Sequence, residues 1–499
     1  MLRRSMPAWI LAAAMIAGQA FAYAAFLPLS LGPRVVLQPW LLQRGFLLYD
    51  QVADEHAPLL SLLLTWLQPL ADNSLLLAKA ALVVLLAIIT LLVFIAALRA
   101  DGKAAGIIAV AFMALWSPDF GYGKLWHETL LAMLYTLILL AWRPGRGHQA
   151  GRRAAVVTGL LFGLSVLAKQ HAGLVALGVA CWTWLVGRRS GRRLRTVGLE
   201  ILLMTGAALI PVALLVAYHL WLGGTVASLA YWTLGFSLLS NQAGLSLLWP
   251  PASQLGIVAP AFLLLLPFAL NWWAGRRSAD ERWQREGLAL ILLFTGSLTV
   301  FPRFSLFHLQ PSLPILAWIS SLSLVRLTRQ VRTAWRSPGR VAAGLLVATF
   351  VALWLVAGGR EYWGVPTKVE EPQITEYSEL VPLAGELRRT IPSGESVYVM
   401  PDNEGVANLY YLLQAEPPRF WVPTDYPWFM IPNVRARALA ELRLQPPEWI
   451  IDVPDGWNFQ STGRPILDFV QANYQSVAQI HWNGGEVHLL HRRSMAEKR

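Results

Sequence analysis

The sequence predicts an all-α membrane protein: a polytopic helical bundle of about 11 spans in residues 1–358, then a small extracytoplasmic α/β domain in residues 359–499. Three observations point there. Apolar runs recur through the first two thirds of the chain, many approaching the ~20 residues that a helix needs to cross hydrocarbon. The chain is 56% hydrophobic and 14% charged, with a mean hydropathy of +0.47, more apolar than a soluble fold can bury. From Gly359 the long apolar runs stop and Pro, Glu, Asp and Tyr become frequent.

The runs lie at about 7–29, 76–98, 104–117, 127–142, 154–168, 172–187, 197–221, 252–274, 287–301, 307–325 and 341–358. The first follows MLRRSM and reads as a signal anchor, although the AFAYAAF stretch also offers small residues suited to signal-peptide cleavage. Residues 31–48 and 59–70 read as interfacial stretches, and 225–249 as an aromatic amphipathic loop.

The basic residues set the orientation. With the N-terminus (Arg3, Arg4) in the cytoplasm, the loops on that side carry Arg99 and Lys103, then Arg143, Arg146, Arg152 and Arg153. Arg188, Arg189, Arg192, Arg193 and Arg195 follow, then Arg276, Arg277, Arg282 and Arg285, and lastly Arg326, Arg329, Arg332, Arg336 and Arg340. The opposite loops hold Arg34, Arg44, Lys124, Lys169 and Arg303. Such an asymmetry follows the positive-inside rule, and an odd span number sends the C-terminal segment outside. The expected location is the cell (inner, cytoplasmic) membrane. The net charge of +12 is therefore an orientation signal, and nucleic acid is excluded as a partner. A single cysteine, Cys181, rules out an internal disulfide or a thiolate metal cluster.

In the C-terminal segment ESVYVMP, EWIIDV and EVHLLHR read as buried strands, and ELRRTI and ILDFVQANY as amphipathic helices. That alternation suggests a mostly parallel sheet.

Candidate chemistry lies on the poorly charged side. The first outer loop, RGFLLYDQVADEHAPLL, places Asp50, Asp54, Glu55 and His56 between apolar stretches. Asp50 and Asp54 are four apart and share a face if the segment is helical, a pair able to supply a general base or bind a divalent cation. The plain alternative is a solvated loop with Asp54 capping a helix. The second outer loop ends in His127 and Glu128, the third holds Lys169, Gln170 and His171, and the fifth holds Arg303 and His308. Each has its own plain reading: a polar helix start, a lysine snorkelling to the interface, an interfacial arginine. Taken together on one face they suit a site in which carboxylates act on a hydroxyl or amine. Lys169 and Arg303 would neutralise a phosphate there. Phosphate beside lipid suggests a polyprenyl-phosphate carrier.

The order of these features resembles the GT-C membrane glycosyltransferases, above all bacterial relatives of protein O-mannosyltransferases and aminoarabinose transferases. The resemblance rests on Gly45 to Pro58 (G-x-x-x-Y-D, then H-x-P), His127–Glu128, and Arg303 to Pro314. Many relatives carry a double proline where this chain has His56-Ala57-Pro58. The resemblance implies a GT-C fold with Asp50 as the essential first-loop aspartate. Asp54 or Glu55 would be a second acidic contact, and His127 and Glu128 would fall at the second-loop acidic position. Lys169, Arg303 and His308 would lie on the donor-phosphate side. The implied reaction is inverting transfer from a polyprenyl-phosphate-linked sugar to a lipid, glycan or protein acceptor outside the cytoplasm. No cofactor is required for it, and a divalent metal at the acidic residues is compatible with it. Two other classes remain open: a transporter or lipid flippase, and a membrane scaffold whose outer aromatics Phe420, Trp421, Tyr426 and Trp428 stack on sugar rings, the plain alternative for those aromatics being core packing or docking on the membrane surface.

Overall fold

The computed structural model describes residues 2–70, 74–143, 148–236, 251–278, 280–298, 305–333, 338–363, 377, 379–400, 405–422, 431–453, 463–482 and 485–493. Its residues group into two compact units. One comprises Met1–Leu27, Ala80–Leu215 and Leu247–Pro372; the other comprises Pro28–Lys79, Val216–Ser246 and Gln373–Arg499.

The first unit is helical, and a helix overlies each apolar run read from the sequence. By length and composition, four helices among the described residues suffice to cross a membrane alone: Met6–Ala25, Ser74–Asp101, Gly151–Ala168 and Leu194–Trp221. A fifth candidate, Ala252–Phe262 with Leu265–Arg277, is bent by 48°. Others are shorter. His127–Ala141 has 15 residues, about 22 Å at 1.5 Å per residue, against a hydrocarbon core of ~30 Å.

Small residues let these helices approach closely. Gly159 and Gly163 form a G-x-x-x-G step on the helix His148–Ala168. A Cβ on Gly159 would come 2.2 Å from the Met204 carbonyl, and one on Gly163 would come 2.3 Å from the Ala208 carbonyl. Without a hydrophobic drive between helices in lipid, such backbone approach is a main source of association. At one end of the bundle Arg326 bridges two carboxylates, with Nε 3.3 Å from Asp101 Oδ2 and Nη2 2.7 Å from Glu286 Oε1. This joins the helix ends of Ser74–Asp101, Glu281–Ser297 and Ser312–Thr333.

The second unit gathers segments that are far apart in sequence. Its sheet has the order β1-β2-β4-β3, formed by Val397–Met400 (β1), Trp449–Asp452 (β2), Tyr474–Trp482 (β3) and Gly485–Arg492 (β4). The three expected strands are present. The expected parallel character is not: only β1 and β2 pair in parallel, while β2–β4 and β3–β4 are antiparallel. The cause is β3, absent from the sequence reading, which starts directly after the helix Arg464–Asn473 and pairs with β4.

Residues 31–48, expected at the membrane interface, instead enter this unit's core. Leu31, Val36, Leu37 and Leu41 are fully buried, and the last two share a cluster with Val397, Val399, Ile450 and Leu489. A reciprocal backbone pair ties the same loop to the C-terminal segment: Ala53 N–H donates to the Trp421 carbonyl at 2.9 Å, and Trp421 N–H to the Gln51 carbonyl at 2.8 Å. Trp232 and Phe236 of the 225–249 stretch are also buried in this core.

Candidate active site

In the second unit the first loop is not helical around its acidic residues; Leu48 and Val52 form an isolated bridge across a turn. Asp50 and Asp54 therefore do not share a helix face, and their partners differ.

Asp54 is fully buried. Its Oδ2 accepts from Gln38 Nε2 at 3.0 Å, and its Oδ1 accepts from the His56 backbone N–H at 3.0 Å, closing an Asx-type turn. Glu55 takes a bidentate bond from Arg34 Nη2, with both oxygens at 2.9 Å. Both carboxylates thus shape the loop, but Asp54 is neither solvated nor a helix cap as the plain reading had it: the helix Leu59–Leu67 starts from Pro58 without a side-chain cap.

Asp50 is held differently. Its side chain is 21% exposed and meets residues 219–228. Ser228 Oγ donates to Oδ2 at 2.8 Å, and Thr225 N–H donates to the same oxygen at 3.3 Å. Thr225 Oγ1 lies 3.4 Å from Oδ1, and His219 Nε2 lies 3.5 Å from Oδ2. The guanidinium of Arg437 donates to the Asp50 carbonyl while stacking on Phe420, 4.1 Å from the ring centre. Tyr49, directly before Asp50, adopts φ 71°, in the left-handed region that bulky residues avoid. It is buried, donates from its hydroxyl to the His56 carbonyl at 2.8 Å, and pairs its N–H with the Val52 carbonyl at 2.7 Å. Burial, reinforced by the Asp54 and Glu55 carboxylates, holds the phenol well above its usual pKa, so it stays a donor.

In the first unit three residues predicted from three separate loops come together. Lys169 Nζ and His308 Nδ1 both bond Glu128 Oε1, and they lie 3.4 Å from each other. Glu128 is fully buried, and among the described residues its Oε2 has no hydrogen-bond partner. Lys169 is buried too, so it does not snorkel. His171, close by in sequence, is pushed down to about 4 by burial and then by Lys169. It is neutral at pH 7.

His127 faces away from this trio, with Nδ1 on the Ala168 carbonyl at 3.1 Å. Gln310 locks the surrounding loops. Its Nε2 donates to the Gly121 carbonyl at 2.7 Å and the Lys124 carbonyl at 3.0 Å, and its Oε1 accepts from Thr129 at 2.8 Å. Gly121, with φ 69°, lets the Phe307 backbone approach to where a Cβ would sit 2.9 Å away.

Arg303, Tyr426 and Trp428 lie outside the described residues. Phe420 and Trp421 are buried in the unit's core, at 4% and 1% exposure, as the core-packing alternative expects and sugar stacking does not. Sequence reasoning missed His219, Thr225, Ser228, Gln310 and Arg437. It also passed over Asp119, whose buried carboxylate takes a 2.7 Å ion pair from Arg360. Gln310 falls inside the Arg303–Pro314 stretch without being singled out there, and hydroxyl residues such as Thr225 and Ser228 carry no local signal.

No family model and no curated protein sequence matches the chain. Solved structures do. ArnT from Cupriavidus metallidurans in the apo state is 13% identical, with a TM-score of 0.59 over 98% of this chain and 98% of that one. The same protein bound to undecaprenyl phosphate aligns at TM-score 0.60 and 12% identity, covering 96% and 97% of the two chains. The chain has the GT-C fold. The oligosaccharyltransferase AglB from Archaeoglobus fulgidus, in complex with an inhibitory peptide and a dolichol-phosphate, aligns at TM-score 0.54 and 12% identity. That alignment covers 97% of this chain and 74% of the other. With this fold and its apolar helices, the GT-C chain is a multi-pass membrane protein.

Proposed function

We propose that this GT-C protein transfers a sugar from a polyprenyl-phosphate-linked donor to an acceptor outside the cytoplasm, with inversion and with Asp50 as the general base. One observation carries the reading most: a partly exposed aspartate, braced by donors from a distant segment, sits in the first long loop of a chain that shares its fold with ArnT.

The step is a single displacement. The acceptor oxygen or nitrogen bonds to the anomeric carbon as the bond from that carbon to the phosphate oxygen breaks. The electron pair leaves with the polyprenyl phosphate, and the acceptor proton passes to the Asp50 carboxylate. The leaving group is already a phosphate anion, so charge neutralisation by Lys169 and Arg303 is the help it needs, with His308 on the same donor-phosphate side; the step requires no metal and is compatible with a divalent one at the acidic residues. Glu128 orients Lys169 until the phosphate arrives.

The test is donor consumption by purified protein given undecaprenyl-phosphate-linked hexose and pentose donors, in wild type and Asp50→Asn. The substitution is expected to abolish turnover without changing yield or melting temperature. Equal turnover in both proteins would remove Asp50 from the mechanism. Turnover in neither, across donors and acceptors, would favour a transporter or scaffold.

A further inference from the structure

The contacts of Asp50 are unequal between its two oxygens. Ser228 Oγ lies 2.8 Å from Asp50 Oδ2 and 2.9 Å from the Thr225 carbonyl, and it has one proton to give. The ionised carboxylate is the stronger acceptor, so the proton goes to Oδ2. Thr225 Oγ1 accepts from the Ser228 N–H at 3.1 Å and lies 3.0 Å from Ser228 Oγ, against 3.4 Å from Asp50 Oδ1. The shorter contact takes the Thr225 proton to Ser228, completing a relay from Thr225 through Ser228 to Oδ2.

The tautomer of His219 follows from its neighbours. Nε2 lies 3.1 Å from the Thr225 carbonyl, which can only accept, so Nε2 carries a proton. That carbonyl takes the one proton, since Asp50 Oδ2 is farther off, at 3.5 Å. The ring is fixed on one side by Gly224, where an added Cβ would lie 2.3 Å from it, and it stands edge-on to Tyr49 at 5.8 Å between centres. With its donor nitrogen on the Thr225 carbonyl, His219 is not itself the base.

We propose that Ser228 and His219 are positioning residues, Ser228 holding Asp50 through Oδ2 and His219 fixing the Thr225 turn that bonds the same oxygen, so that Oδ1 is left as the atom that takes the acceptor proton. This rests on the reading of Asp50 as the base. Two donors bond Oδ2, the Ser228 hydroxyl and the Thr225 amide, while His219 holds the Thr225 carbonyl beside them. Among the described residues Oδ1 has one contact, the 3.4 Å hydroxyl whose proton is engaged elsewhere. The other charged group facing Asp50 is Arg437, which bonds the backbone carbonyl and fixes the residue from the main-chain side. General-base catalysis depends on the lone pair that points at the proton. Loss of the clamp lets the carboxylate rotate and costs turnover without touching donor binding.

The experiment uses the full-length protein with Ser228→Ala, Ser228→Thr, His219→Phe, His219→Gln and Asp50→Asn. Two quantities are read: kcat and KM for undecaprenyl-phosphate-linked donors, and carbodiimide labelling of Asp50 by mass spectrometry. Carbodiimide reacts with a carboxyl that is free of strong donors. Ser228→Ala and His219→Phe are expected to lower kcat about tenfold each, the scale of one hydrogen bond to a charged group, with KM little changed and labelling several-fold faster. Ser228→Thr keeps the hydroxyl and His219→Gln keeps a donor, so both recover most of the loss. A merely structural role would lower yield and melting temperature in all four alike. Unchanged kcat and labelling in Ser228→Ala and His219→Phe, with Asp50→Asn inactive, would overturn the positioning roles and spare the base. An active Asp50→Asn would overturn the base itself. If wild type consumes none of the donors, unchanged labelling alone overturns the clamp.

Discussion

Tyr49 holds a left-handed φ of 71° although a bulky side chain disfavours it, a conformation that costs about 1–3 kcal/mol. The phenol bond to the His56 carbonyl and full burial hold it there, and the turn it makes throws Asp50 toward residues 225–228. The acidic cluster around it was legible as a site, but not its division of labour. Asp54 and Glu55 look equivalent to Asp50 in sequence, yet they are bound up with Gln38, His56 and Arg34, because a loop rather than a helix sets their directions. The partners of Asp50 were illegible for a plainer reason: Thr225 and Ser228 are ordinary hydroxyl residues far along the chain. Glu128, Lys169 and His308 were legible because ionisable groups at the ends of apolar runs are costly unless paired. Their pairing gives a double-mutant test. Glu128→Ala leaves the buried Lys169 charge unpaired and is expected to destabilise by about 3–5 kcal/mol. Adding Lys169→Met should return much of that loss, because it removes the orphaned charge. Thermal denaturation in detergent measures both, and strict additivity would mean the pair is not coupled.

Among elements, the helices were read well because a run of apolar residues needs no partner to be recognised. The second unit was read less well because its contacts are long-range: Trp421 pairs with Gln51 and Ala53, and the sheet includes a strand that follows a helix without a turn signal. The packing of the helix His148–Ala168 on Leu194–Trp221 makes the sharpest element-scale prediction. A leucine at Gly163 would start from a Cβ 2.3 Å from a backbone carbonyl, which cannot swing aside as a side-chain end does. Gly163→Leu is therefore expected to push the helices apart and lower stability by at least the ~1–3 kcal/mol typical of overpacking. Gly198→Leu, at a glycine with open space around it, serves as the control and should leave the melting temperature nearly unchanged. Equal melting temperatures for the two variants would mean the close approach contributes nothing.

For the molecule as a whole, the charge asymmetry remains the main argument about orientation, and the first unit's internal geometry adds to it. Asp101, Glu286 and Arg326 meet where three helices of alternating direction end, on the side that carries the arginine clusters. Glu128, Lys169 and His308 meet at the opposite ends of their helices: Glu128 opens His127–Ala141, Lys169 follows His148–Ala168, and His308 precedes Ser312–Thr333. Two polar clusters at opposite helix ends fit antiparallel crossings of one bilayer, and from the positive-inside rule we propose that the arginine-rich end faces the cytoplasm. The single native cysteine makes this testable. In a Cys181→Ser background, Gln475→Cys on β3 should react with a membrane-impermeant maleimide added to the outside of the membrane. Arg192→Cys, in an arginine-rich loop, should react only after permeabilisation. The reverse pattern would invert the orientation and put Asp50 and the proposed transfer on the cytoplasmic face. Labelling of both from outside would break the odd number of spans on which the position of the C-terminal segment depends.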